Sequence, residues 1–173
     1  MPFHVNAYGS RVIRDKGGVP GRDGGQGTTA DPPGPSPARC LALGQALVAV
    51  LGTLPHKVAL VATSSWSHAF LTEKTGFMHP DLAADRERFE ELRTGAYAAW
   101  RRLSRGQLES CGQQELLNWM PLAGAMTAAG AGPPRWCQLA ESYIMNSSKC
   151  SVVFRPVELP TCGRLAGPGP PPA

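Results

Sequence analysis

Two side chains in this sequence combine reactive chemistry with a setting that bears on function. The first is His68, which follows the apolar run "VALVAT" and the polar turn "SSWS". A neutral imidazole exchanges a proton close to neutral pH, so a histidine held at one point can act as an acid or a base. Two readings of His68 stand. It lies just beyond the carboxyl end of a strand, where open α/β sheets gather their functional residues; or it is bonded to Ser65 or Ser67 in a structural turn. A serine hydrolase is a third and weaker option, because neither serine has the G-x-S-x-G context of a nucleophile elbow. The second side chain is Glu115. Trp119, Leu122 and Met126 follow it at helical spacing, which would draw its carboxylate toward the core. Buried carboxylates are paired or bound to metal. Against this, Glu115 comes three residues after Gly112 and also suits the first turn of a helix, where the dipole favours an acid. His4, His56 and His79 sit in strand or turn settings that point to the surface. Asn6, Tyr8, Glu141, Asn146 and Lys149 are either pocket lining or ordinary edge residues.

Local patterns outline the elements that must hold these residues. "PFHVNAY" alternates as a short strand does, "KVALVAT" is a continuous apolar run of strand length, and "KCSVVFRPV" reads as a last strand. Between them, "SPARCLALGQALVAVL" predicts a helix with Ser36 as its cap and Pro37 at its first position. Pro80 and Asp81 open a polar helix that ends near Gly95, and a short helix follows around "YAAWRRLS". "GQQELLNWMPLAGAMTAAG" predicts a more apolar helix, kinked or displaced at its start by Pro121 and stopped by Gly130. The order β-α-β-α-α-α-β predicts an α/β protein, layered α/β/α around a mixed sheet. There is no internal repeat.

The 20 glycines and 17 prolines among 173 residues concentrate in two stretches. Residues 10–37 are therefore expected to form a Gly/Pro-rich loop and 161–173 a disordered tail, with one domain over 1–160. The net charge of +4 is not clustered: "DLAADRERFEELR" mixes both signs, and Arg101, Arg102 and Arg105 have no aromatic platform around them. That pattern speaks against a nucleic-acid partner. The five cysteines, Cys40, Cys111, Cys137, Cys150 and Cys162, show no zinc or redox spacing. No signal peptide opens the sequence, which points to a reducing, cytoplasmic setting. "MPLAGAMTAAGAG" is too short to span a membrane.

Three segments in order, "SSWSHAFLTEKTGFMHPDLAADRERFEELRTGAY", "GQQELLNWMPLAGAM" and "ESYIMNSSKC", resemble the class III extradiol ring-cleavage dioxygenases. The resemblance is to the catalytic (beta) subunit type found in protocatechuate 4,5-dioxygenase. "PFHVNAYG" and "PPGPSPARCLALGQAL" look like the mid-chain strand of that family and the helix after it. The resemblance implies a non-haem Fe(II) enzyme that opens a catecholic ring with O2. By position, it implies that His68 is the acid/base beside the metal and that Glu115 is the carboxylate of the iron site. A site of two histidines and one carboxylate leaves one face open to substrate and oxygen. In the family both iron-binding histidines precede the strand resembling "PFHVNAYG", and none of His4, His56 or His79 has a matching context. Residues 1–160 are therefore expected to be the C-terminal part of such a domain, a truncated form that lacks the N-terminal half. A complementing chain bearing the absent histidines would then complete it; a homo-oligomer is the other assembly expected. The alternative is a non-catalytic relative acting as a binding or companion subunit.

Overall fold

The structure, a computed structural model, describes residues 2–8 and 33–158. Helix α1 (Pro37–Leu51) starts as the sequence requires, with the Ser36 hydroxyl accepting the Arg39 N–H at 3.3 Å and Pro37 at the first position. Helix α2 (Leu82–Thr94) is capped by Asp81, whose Oδ1 accepts the Ala84 N–H at 3.2 Å. It ends at Gly95, whose φ of +73° lets the Ala96 N–H turn back to the Glu91 carbonyl. Two short helices follow: α3 (Tyr97–Arg102), and α4 (Arg105–Ser110) with a capping box between Ser104 and Gln107.

The long apolar helix expected from Gly112 onward divides in two. Residues Gln114–Asn118 form a 3-10 turn, and helix α5 (Met120–Ala128) begins only at Met120, with Pro121 in its first turn. Proline lacks the N–H that a continuous helix would need there, so the chain breaks just ahead of it. The division changes the surroundings of Glu115. It no longer lies on one helical stripe with Trp119 and Met126, and its side chain stays 21% exposed.

Helices α1 and α5 pack with their backbones almost touching at two glycines. A Cβ on Gly44 would lie 1.9 Å from the Pro121 carbonyl oxygen, and one on Gly124 2.1 Å from that of Leu41. Around this contact the core gathers Cys40, Leu41, Trp66, Trp100, Leu116 and Met120. The rings of Trp66 and Trp119 meet edge to face at 5.5 Å.

The sheet differs from the mixed one the sequence points to. Among the described residues it has two strands, β1 (Trp136–Ala140) and β2 (Lys149–Val153), antiparallel, with Leu139 opposite Cys150. Strand β2 lies within the expected "KCSVVFRPV", whereas β1 is a strand the sequence pattern did not announce. "PFHVNAY" and "KVALVAT" pair with no strand among the described residues. A strand exists only with a partner, and apolar patterning cannot supply one. Val58 and Val61 are consequently 47% and 80% exposed. The expected loop over 10–37 falls mostly outside the described residues, and the expected tail over 161–173 wholly so. No helix among the described residues is long and apolar enough to cross a membrane.

Candidate active site

His68 and Glu115 come together, although they belong to different segments of the chain. His68 sits on the loop between "VALVAT" and the 3-10 turn Ala69–Leu71. That loop is anchored from several sides. The His68 N–H reaches the Gly112 carbonyl at 3.0 Å, and the Thr72 hydroxyl donates to the His68 carbonyl at 2.7 Å. Gly112 must be glycine: its φ is +66°, and a Cβ there would lie 2.5 Å from Thr72 Oγ1 and 2.8 Å from the His68 carbonyl oxygen.

The serines around His68 are occupied with structure. Ser67 Oγ donates to the Cys111 carbonyl at 2.6 Å and accepts the Asp81 N–H at 2.7 Å. Ser64 Oγ donates to the Glu115 carbonyl at 2.8 Å, and the Ser65 N–H donates to Glu115 Oε2 at 3.0 Å. The run "SSWS" therefore clamps the turn that carries Glu115 to the loop that carries His68. The imidazole itself is bonded to neither Ser65 nor Ser67. Its Nε2 lies 3.3 Å from Glu115 Oε2 and 3.5 Å from Tyr8 Oη, and its Nδ1 lies 2.8 Å from Asn146 Nδ2.

Tyr8 and Asn146 complete the group, and residue type alone could not select them. Tyr8, in the N-terminal segment, donates its hydroxyl to Glu115 Oε1. Burial, with the Glu115 carboxylate beside it, pushes the Tyr8 phenol well above its ordinary range, so it remains a donor. Asn146, on the loop joining β1 to β2, reaches His68 from the other side. In the sequence, Tyr8 shows only as the end of a strand-like run, and Asn146 only as a polar residue flanking the last strand. Glu115, with Ser64, Ser65, Asn118, Lys149 and Ser151, lines an open cleft of about 560 Å3. His68 is not part of the cleft wall and meets it through Glu115. His79 has other partners: its Nδ1 bonds the Pro80 carbonyl oxygen at 2.8 Å, and its ring leans on Tyr143.

Asp85 anchors the back of the same loop. It is fully buried, and its Oδ1 accepts the Ser67 N–H at 3.1 Å and the Gln113 side-chain amide at 2.8 Å. Burial outweighs these bonds and raises its carboxyl from 3.8 to about 6. The folded protein holds this proton more tightly than the unfolded chain does. Its contribution to stability is therefore fully present below about pH 3.8 and lost as pH rises through about 6. Asp85→Asn keeps an acceptor oxygen for both bonds, so it should flatten the pH dependence across that window. Urea unfolding followed from about pH 4 to 7 would show the flattening.

No protein-family model matches the chain, and no solved structure matches it. It is 32% identical over 106 residues to gallate dioxygenase of Pseudomonas putida, a match that covers 56% of this chain and 29% of that protein. The chain thus spans less than a third of the length of the curated relative it matches. The likeness points to ring-cleavage dioxygenases as a class, without the subunit type.

Proposed function

We propose that this chain is part of a non-haem Fe(II)-dependent extradiol dioxygenase that opens a catecholic ring with O2. The observation that carries this reading is the meeting of His68 and Glu115 at 3.3 Å beside an open polar cleft. They are the two residues whose roles the family resemblance implies. The likeness to gallate dioxygenase supports the same class. In this reading, "KVALVAT" belongs to a larger layered sheet and its neighbouring strands come from polypeptide beyond the described residues. A complementing chain is the other source of those strands.

Iron would supply the site for catechol and oxygen together. Glu115 is a hard oxygen ligand at the cleft wall and suits that metal. The described residues do not hold it unaided: they contain no group of three His, Cys, Asp or Glu placed to bind a metal ion. What the chain's own residues do is manage protons. The Ser65 N–H and the Tyr8 hydroxyl fix the two oxygens of Glu115. His68 Nε2, 3.3 Å from Oε2, places a proton-transfer group beside that carboxylate.

Protein purified anaerobically from its own cells should contain iron and take up oxygen with catechols such as gallate or protocatechuate, giving a ring-opened product. Glu115→Ala in the same protein should lose the iron. Absence of iron together with absence of uptake would overturn the reading and leave the binding or companion role. Unchanged iron content in Glu115→Ala would remove Glu115 from the ligand set.

A further inference from the structure

We infer that Asn146 is a positioning residue that fixes His68 as the Nε2–H tautomer, so that the imidazole presents a proton, not a lone pair, to the Glu115 side of the site. Two independent sets of contacts lead to this assignment. On the Asn146 side, the amide is oriented by the backbone. Its Oδ1 accepts the Phe70 N–H at 3.4 Å, so the Nδ2 donor faces His68 Nδ1 at 2.8 Å. Rotating the amide would set two donors against each other at Phe70. A nitrogen that accepts from Nδ2 carries no hydrogen, and the ring proton of the neutral imidazole must then reside on Nε2.

On the opposite side, Nε2 faces two oxygens. Tyr8 spends its single hydroxyl proton on Glu115 Oε1, so it offers Nε2 only lone pairs, and Glu115 Oε2 is a carboxylate oxygen. A bare Nε2 would point its own lone pair at both. A protonated Nε2 has two acceptors, the nearer at 3.3 Å. Both sides fit the same tautomer, and the shorter contact, 2.8 Å at Nδ1 against 3.3 Å at Nε2, is the one Asn146 makes.

Asn146 is well placed to hold this arrangement. Its carbonyl accepts the Ala69 N–H at 2.7 Å, and the next residue, Ser147, forms an antiparallel bridge with His68. The amide is therefore tethered to the segment whose imidazole it orients. The consequence for chemistry rests on the ring-opening reading. A neutral His68 held this way enters as a proton donor at Nε2.

The test is the tautomer itself, read from the ring nitrogens of His68 by 15N NMR on the substrate-free protein at about pH 8.5, where an ordinary imidazole is neutral. The expected spectrum shows Nε2 as the protonated nitrogen and Nδ1 as the bare one. Asn146→Asp replaces the donor with an acceptor, so Nδ1 should become a protonated nitrogen. Asn146→Ala should give a mixture. A bare Nε2 in the unsubstituted protein overturns the inference, and that measurement stands even where a variant fails to fold. Folded variants, judged by an unchanged backbone amide spectrum, that keep the original pattern overturn the role of Asn146. Since no turnover is read, failure here is distinct from failure of the ring-opening reading, which oxygen uptake decides.

Discussion

Alanine at Gly44 or at Gly124 should destabilise the protein by roughly 3 kcal/mol or more, at the upper end of what one added methyl group does to a packed core. The added Cβ at Gly44 meets the Pro121 carbonyl oxygen at 1.9 Å and the Ala125 nitrogen at 2.8 Å; at Gly124 it meets the Leu41 carbonyl oxygen at 2.1 Å. These neighbours are backbone atoms and have no rotamer to change. Relief comes only if α1 and α5 move apart, and that loosens the packing of Leu41, Met120 and Ala123 between them. Helix α5 also follows directly on the turn that carries Glu115, so the movement would reach the site. Gly106 is the control. In α4 it has ordinary φ, and a Cβ there comes no nearer than 4.0 Å to Ser104 Oγ. Gly106→Ala should be neutral or stabilising by up to about 1 kcal/mol, since alanine is the better helix former. Urea unfolding of the three variants side by side would separate the close helix contact from a general intolerance of alanine.

The second large effect concerns turnover. In the iron-containing protein, His68→Ala should lower kcat by about 10^2 to 10^4, the usual worth of a positioned proton-transfer group. Iron content and substrate KM should change little. The reason is geometric: Glu115 keeps the Ser65 N–H and the Tyr8 hydroxyl as partners when the imidazole is gone. His68→Gln should recover little of the loss, since an amide can occupy the space but cannot deliver a proton near neutral pH. Steady-state oxygen uptake together with metal analysis checks this. A parallel fall in iron content would show that His68 acts on the metal site as a structural support.

Much of the helical part of this fold was legible because its signals are local. Ser36–Pro37, Asp81 and Gly95 mark helix ends by chemistry that acts within four residues, and each stands where the sequence put it. Pro121 was legible as an interruption, although the 3-10 turn ahead of it was not, because that turn is set by the packing of Leu116 and Leu117 into the core. The strands were less legible. "KVALVAT" has the composition of a buried strand, yet burial requires a neighbour, and no strand among the described residues lies beside it. At the site, His68 and Glu115 stood out by residue type and setting. Their meeting did not, and neither did the partners Tyr8 and Asn146, since a polar residue at the end of an extended run is common whether or not it has a task. The helical stripe expected for Glu115 does not describe its setting. Its carboxylate is held by hydrogen bonds at a cleft wall, not drawn into the core by a continuous helix.

The tethering of Glu115 has a consequence for local unfolding. Tyr8 lies 107 residues from Glu115 along the chain, and Asn146 lies 78 from His68. Contacts between such distant segments belong to the folded state as a whole, with no short piece of chain able to reproduce them. Yet among the described residues the segment bearing Tyr8 joins no sheet ladder, and it meets the core through the partly buried Val5 and Ala7. Openings that detach residues 2–8 while the helical core stays intact require less free energy than global unfolding. The site can therefore lose its arrangement in molecules that remain largely folded. Heating should switch off the Tyr8–Glu115–His68 cluster before it melts the helices.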